Sequence, residues 1–173
     1  MTQVKELIDY TPPSWDVWFM KQAYLVAEKS KDPSTKIGSV IVKDNHIISS
    51  GFNGFPIGVN DTQERYNDRE AKYKFVVHSE ANAVLSAARF GTATIGTTLY
   101  TQALPCHDCA KCIIQGGIRN IVVHKKWPQM SHSNWVESMK ISGIMLHESG
   151  VEIKYLDEYL NVLAYLNGKV HQV

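Results

Sequence analysis

Apolar positions recur every three to four residues from Trp15 to Ser30, where Val17, Met20, Tyr24 and Ala27 share one side. That period predicts an amphipathic helix. Ser14 or Asp16 can cap its start. Lys31-Asp32-Pro33-Ser34 ends it, because proline has no N–H to continue the ladder. The pattern then shortens to β-branched runs, Ile37–Val42 and Ile47–Phe52, separated by Asp44-Asn45. These predict a β-hairpin. Gly51–Gly58 is rich in turn residues, and Asn60–Lys74 is polar, charged and long for a simple connection, as functional or mobile segments are. Helical spacing returns over Ser79–Arg89, with Ala81, Val84, Leu85 and Ala88 on the predicted buried face. Thr98–Gln102 predicts a strand and Cys106–Gln115 a helix, closed by Gly116-Gly117. Ile118–His124 predicts a strand, Asn134–His147 a helix and Val151–Leu156 a last strand. In the tail, 157–173, Leu160, Leu163, Ala164 and Leu166 fall on one helical face. That face fits either packing on the same domain or contact with another subunit.

Strands alternating with helices predict an α/β layered sheet, and the opening hairpin makes the sheet mixed. The 173 residues fit one domain, with 1–14 as an N-terminal extension. Lys plus Arg total 18 against 17 Asp plus Glu, a net charge of +1. Proteins that grip long nucleic acid usually carry a basic excess, so the balance favours a small substrate. No stretch approaches the roughly 20 apolar residues that span a bilayer. Met1–Asp16 has no apolar run and does not read as a signal peptide, so a cytoplasmic location is expected. The three cysteines all lie within Cys106–Cys112; such spacing suits a metal site in a reducing compartment better than a disulfide framework.

The chemistry gathers in His78-Ser79-Glu80 and Pro105-Cys106-His107-Asp108-Cys109. Cys106 and Cys109 stand at i and i+3, so both thiolates leave one face of a helix. They stand at its N-terminus, where the macrodipole favours negative charge. Pro105 suits that start. His78 opens the other helix and supplies a third ligand. Three protein ligands leave one zinc position for water, the pattern of a catalytic site. Glu80 is close enough to move protons without ligating the metal. Cys112 points away from Cys106 around the helix and reads as a small buried hydrophobe. A purely structural zinc staple of Cys106, Cys109, Cys112 and one histidine is the bland rival. His46, His132 and His171 read as exposed or turn-like, His124 and His147 as an element end and the surface, and His107 as aimed off the metal face. Trp15, Trp18 and Phe19 read as core or interface.

H-x-E paired with P-C-x-x-C is the established signature of zinc deaminases. With Ser30-Lys31-Asp32-Pro33, Gly38–Val42, Gly51–Gly58 and Ile113–Ile118 added, the chain from about Trp18 to Leu156 resembles the cytidine and deoxycytidylate deaminase superfamily, and within it the deoxycytidylate deaminases. The resemblance implies a three-layer α/β/α fold around a five-stranded mixed sheet, and a homohexamer. It implies hydrolysis of dCMP to dUMP and ammonia with catalytic Zn2+ on His78, Cys106 and Cys109 and with Glu80 as proton carrier. Asn53, Ser79 and Pro105 match substrate-binding positions. Lys31, Asp32, Gly54, Phe55, Pro56 and Gly58 match an effector site for dCTP, with Mg2+, and for dTTP. The family more often has Ala at position 79, and has Tyr where Phe52 stands. The substrate phosphate needs a cation, for which Arg65, Arg69, Lys72, Lys74 or a neighbouring subunit are candidates. A dCTP deaminase and a deaminase of nucleic-acid bases are the rival enzymes. A zinc-stapled interaction domain is the non-enzyme rival.

Overall fold

The computed structural model describes residues 11–128 and 133–173; the first ten residues of the predicted N-terminal extension, and His132, lie outside them. The elements run α1 (Trp15–Ala27), β1 (Gly38–Lys43), β2 (His46–Phe52), α2 (Gln63–Asn67), α3 (Arg69–Phe75), α4 (Ser79–Arg89), β3 (Thr98–Thr101), α5 (His107–Gln115), β4 (Asn120–His124), α6 (Ser133–Glu148), β5 (Glu152–Leu156), β6 (Leu163–Leu166) and β7 (Lys169–Gln172). Ser14, not Asp16, caps α1, its hydroxyl accepting from the Val17 N–H at 3.3 Å.

The predicted hairpin forms. Asp44 and Asn45 both take positive φ, 48° and 59°, as a two-residue turn of the right twist requires. The five strands are ordered β2-β1-β3-β4-β5. β1 runs antiparallel to β2 and β3, while β3, β4 and β5 are mutually parallel. The mixed sheet is therefore as expected.

Side chains alternate across a strand, and the alternation here separates two cores. Val40, Val42, Tyr100 and Val122 meet Phe19, Met20 and Tyr24 of α1. Ile41, Leu99, Ile121 and Val123 face the other way, toward Ala83 of α4, Ala110 and Ile113 of α5 and Leu146 of α6. Helices cover both faces, giving three layers. Truncating a fully buried member such as Ile113 should cost about 2–5 kcal/mol.

Three expectations are corrected. The buried face of α4 is Ser79, Glu80, Ala83 and Ala87, and Leu85 is exposed. Two polar residues take inward positions at the start of that helix, so apolar periodicity alone picks the wrong side. Cys112 is half-buried, not a core residue. The tail is not helical: β6 and β7 form an antiparallel hairpin. Its turn is Asn167-Gly168, with φ of 52° and 72°, a strong hairpin signal that outweighs the spacing of the leucines. Leu160, Ala164, Leu166 and Val173 pack into the α1 core. The tail packs on its own domain. The hairpin is stitched to the loop after α1: Lys36 N–H donates to the Tyr165 carbonyl at 3.1 Å and Gly168 N–H to the Ser34 carbonyl at 2.8 Å.

Candidate active site

α4 and α5 start side by side, so two helix N-termini face one point. His78 is the N-cap of α4 and Cys106 the N-cap of α5, with its sulfur accepting from the Cys109 N–H. His78 Nδ1 lies 3.3 Å from Cys106 Sγ and 3.5 Å from Cys109 Sγ. The three ligand atoms all fall within 4.8 Å of one another. Tetrahedral zinc, with Zn–S of about 2.3 Å and Zn–N of about 2.0–2.1 Å, sets sulfur and nitrogen donors about 3.5 Å apart. The donor set therefore fits a single metal ion in both type and spacing. Cys112 and His107 are not in this group; His107 Nδ1 lies 2.7 Å from the Ser138 hydroxyl instead.

Electrostatics agree with that chemistry. The Cys106 thiol is drawn down to about 4, first by the hydrogen bond from Cys109 and then, against burial, by His78. The same pairing pushes the Cys109 thiol up. Burial opposes charge on His78, yet Cys106 and Glu80 outweigh it and hold the imidazole above its ordinary value. Burial pushes the Glu80 carboxyl up, with His78 pulling the other way. Glu80 Oε2 is 3.7 Å from Cys109 Sγ, beside the donor set and outside it.

A cavity of about 460 Å³ opens over this group, within the range of small-molecule sites. His78, Ser79, Glu80 and Cys106 form one end of its lining. Asn53 and Asp32 are buried and also line it. Asn53 Oδ1 accepts from the Ile37 N–H, and its Nδ2 donates to the Thr35 carbonyl, each at 2.8 Å. Asp32 accepts from the Ser34 and Thr35 N–H groups at 2.8 and 3.2 Å. It also pairs with Lys72 Nζ at 3.2 Å. Pro105 is buried behind its lining neighbours Leu104 and Cys106.

Among the basic candidates, Arg69 and Lys72 reach the cavity, while Arg65 and Lys74 are not in its lining. Arg65 instead donates to the Asn60 carbonyl at 2.8 Å and covers the Phe75 ring. The residues matched to an effector site divide. Asp32 is in the cavity. Lys31 is exposed and pairs with Asp61 at 2.8 Å. Phe55 stacks on Tyr66 with ring centres 4.3 Å apart, Gly54 exchanges backbone hydrogen bonds with Val77, and Gly58 sits in a turn at φ 81°.

Sequence reasoning missed three parts of the wall. Trp135 of α6 leans over the His78 ring at 5.5 Å. Tyr73 lies beside it, with ring centres 6.4 Å apart. Leu166, Asn167 and Gly168 bring the hairpin turn to the rim. Only the last had a local signal, the Asn-Gly dipeptide.

Comparison with known proteins settles the lineage. The family described as the cytidine and deoxycytidylate deaminase zinc-binding region matches residues 13–125. The chain belongs to this family of deaminase enzymes. It is 39% identical over 142 residues to an uncharacterised deaminase of Aliivibrio fischeri, covering 82% of this chain and 93% of that one. It is 37% identical over 114 residues to the deoxycytidylate deaminase of Homo sapiens, covering 62% of this chain and 63% of that one. The chain thus spans somewhat under two thirds of the human relative. Crystal structures of the dCMP deaminase of cyanophage S-TIM5 share the fold. The apo form gives a TM-score of 0.64 at 25% identity, over 84% of this chain and 100% of that one. The form in complex with dCMP and dUMP gives 0.65 at 24%, over 85% and 100%. No helix among the described residues is long and apolar enough to cross a membrane.

Proposed function

We propose that this deaminase hydrolyses dCMP to dUMP and ammonia. The observation that carries the reading is a buried glutamate beside a His-Cys-Cys donor set at the end of a nucleotide-sized cavity. His78, Cys106 and Cys109 would hold Zn2+, which lowers the pKa of water to about 7 and so supplies a nucleophile at neutral pH. Glu80 takes the proton from water at its carboxylate, delivers it to N3 of the pyrimidine and passes a second proton to the amino group leaving C4. Water is consumed and ammonia released. A carboxylate kept out of bulk water by burial suits both halves of that exchange.

Asn53 retains one Oδ1 lone pair beyond its bond from Ile37, a seat for a sugar hydroxyl. The Ser79 backbone and the segment at Pro105 frame the base. Arg69 and Lys72 supply positive charge for the phosphate. The names of the curated relatives support dCMP as substrate, and the net charge of +1 argues against a long nucleic acid.

Glu80→Gln tests the assignment: zinc content unchanged, dUMP formation down at least about 100-fold. Wild-type turnover in that variant sinks it. Regulation belongs to the same proposal. dCTP with Mg2+ activates and dTTP inhibits through Lys31, Asp32 and the Gly54–Gly58 loop, in a cytoplasmic homohexamer. A dCMP saturation curve unmoved by either triphosphate, or a monomer in solution, refutes this part.

A further inference from the structure

Glu80 has a second neighbour besides the metal-binding group. Its Oε2 accepts from the Ser79 hydroxyl at 3.0 Å. That hydroxyl lies 2.8 Å from the hydroxyl of Ser39, which lies 3.1 Å from that of Thr101. Ser79, Ser39 and Thr101 are wholly buried. The row crosses three elements: Ser79 opens α4, Ser39 is on β1, and Thr101 closes β3 directly opposite Ser39 in the ladder.

Nothing in the local fold calls for a hydroxyl at position 79. His78 is the N-cap of α4, and no side chain caps that end. Alanine is the better helix former. Three buried hydroxyls cost more than apolar side chains would unless each is partnered. Here each is partnered only by the next, and the row ends on the glutamate. A carboxylate turns easily about its last bond, where the torsional wells are broad. A hydrogen bond from a fixed donor removes that freedom.

We propose that Ser79, backed by Ser39 and Thr101, is a positioning residue that fixes the Glu80 carboxylate for proton transfer. The inference rests on the role given to Glu80 above.

Zinc-loaded wild type, Ser79→Ala, Ser39→Ala and the double variant should be compared with dCMP as substrate, with metal content and thermal unfolding checked on each. Ser79→Ala lowers kcat about 10-fold, the low end for losing a hydrogen bond to a charged group, with KM and zinc unchanged. Ser39→Ala lowers kcat by a smaller factor, about 3-fold, because it acts only through Ser79. The double variant matches Ser79→Ala, since the row is already cut at its first link. Crystal structures supply a readout independent of turnover: in Ser79→Ala the Glu80 carboxylate leaves its wild-type orientation. An unchanged kcat, or a carboxylate in the same place, overturns the proposal. If Ser79→Ala does not fold, Ser39→Ala decides by the same two readouts. A wild type that forms no dUMP refutes the proposed function, while the crystal comparison still judges the hold on Glu80.

Discussion

Asp32 offers the sharpest test of how the cavity wall is held together. Its side chain is 4% exposed. It accepts from two backbone N–H groups, from Lys72 and, at 3.4 Å, from Asn53 Nδ2. The Lys72 side chain is 12% exposed. Asp32→Asn keeps the shape and one acceptor oxygen, so the Ser34 and Thr35 N–H groups stay partnered. It removes the charge facing Lys72 and leaves an ammonium largely out of water. Breaking a buried pair from one side costs about 3–5 kcal/mol. Lys72 borders a cavity that water can enter, so the lower end, about 3 kcal/mol, is expected. Lys72→Met in the Asp32→Asn background removes the orphaned charge and should recover at least about 1 kcal/mol, because an ion pair replaced by neutral groups is often close to neutral. Urea unfolding of the wild type, both single variants and the double variant measures the cycle. Asp32→Asn within about 0.5 kcal/mol of wild type, or a double variant no more stable than Asp32→Asn, refutes the reasoning. Since Asp32 also orders the backbone that holds Asn53, Asp32→Asn should raise the KM for dCMP more than it lowers kcat.

Cys109→Ser should lose zinc and turnover together, measured by metal analysis and ammonia release, because serine is not a thiolate donor. Gly51 packs so closely on α4 that a β-carbon there would fall inside the backbone of Ser79 and Ala83. Gly51→Ala should therefore destabilise by about 1–3 kcal/mol and lower kcat by shifting the helix start that carries Glu80; unchanged kinetics would refute the close approach. His124 is buried with Nδ1 2.7 Å from the Tyr24 hydroxyl and Nε2 2.9 Å from the Glu158 carbonyl. Burial, with Lys126 adding to it, holds the imidazole below its ordinary value, against the Glu158 carbonyl and Asp157. The unfolded chain then binds the extra proton more readily, so stability is fully present above about pH 6.5 and is lost as pH falls through the lower folded value. His124→Gln should flatten that acid limb in thermal unfolding; an unchanged slope would remove His124 as its source.

The candidate catalytic group is legible because it is local. His78 and Glu80 are two residues apart, Cys106 and Cys109 three, and each pair's geometry follows from the start of one helix. The strands are legible because β1 and β4 hold short apolar runs and β3 is β-branched and aromatic, each between turn residues. What escaped depends on contacts distant in sequence. Lys72 meets Asp32 across 40 positions, and Trp135 reaches His78 from α6; no spacing rule links them. The face of α4 escapes the periodicity because Ser79 and Glu80 take inward positions where alanine and leucine are expected. The tail was misread because Leu160, Leu163 and Leu166 satisfy a helical period by coincidence, while Asn167-Gly168 satisfies a turn by stereochemistry.

The hairpin at residues 163–172 lies wholly beyond the stretch that matches the family, 13–125, yet its turn borders the same cavity as Glu80. The His-Cys-Cys group with Glu80 and the shape of the cavity's rim are thus written on separable lengths of chain. Changes in the turn can reshape the rim without disturbing the helix starts that carry His78, Glu80 and Cys106. Divergence among relatives in what the cavity admits should accumulate there before it touches the His-Cys-Cys group.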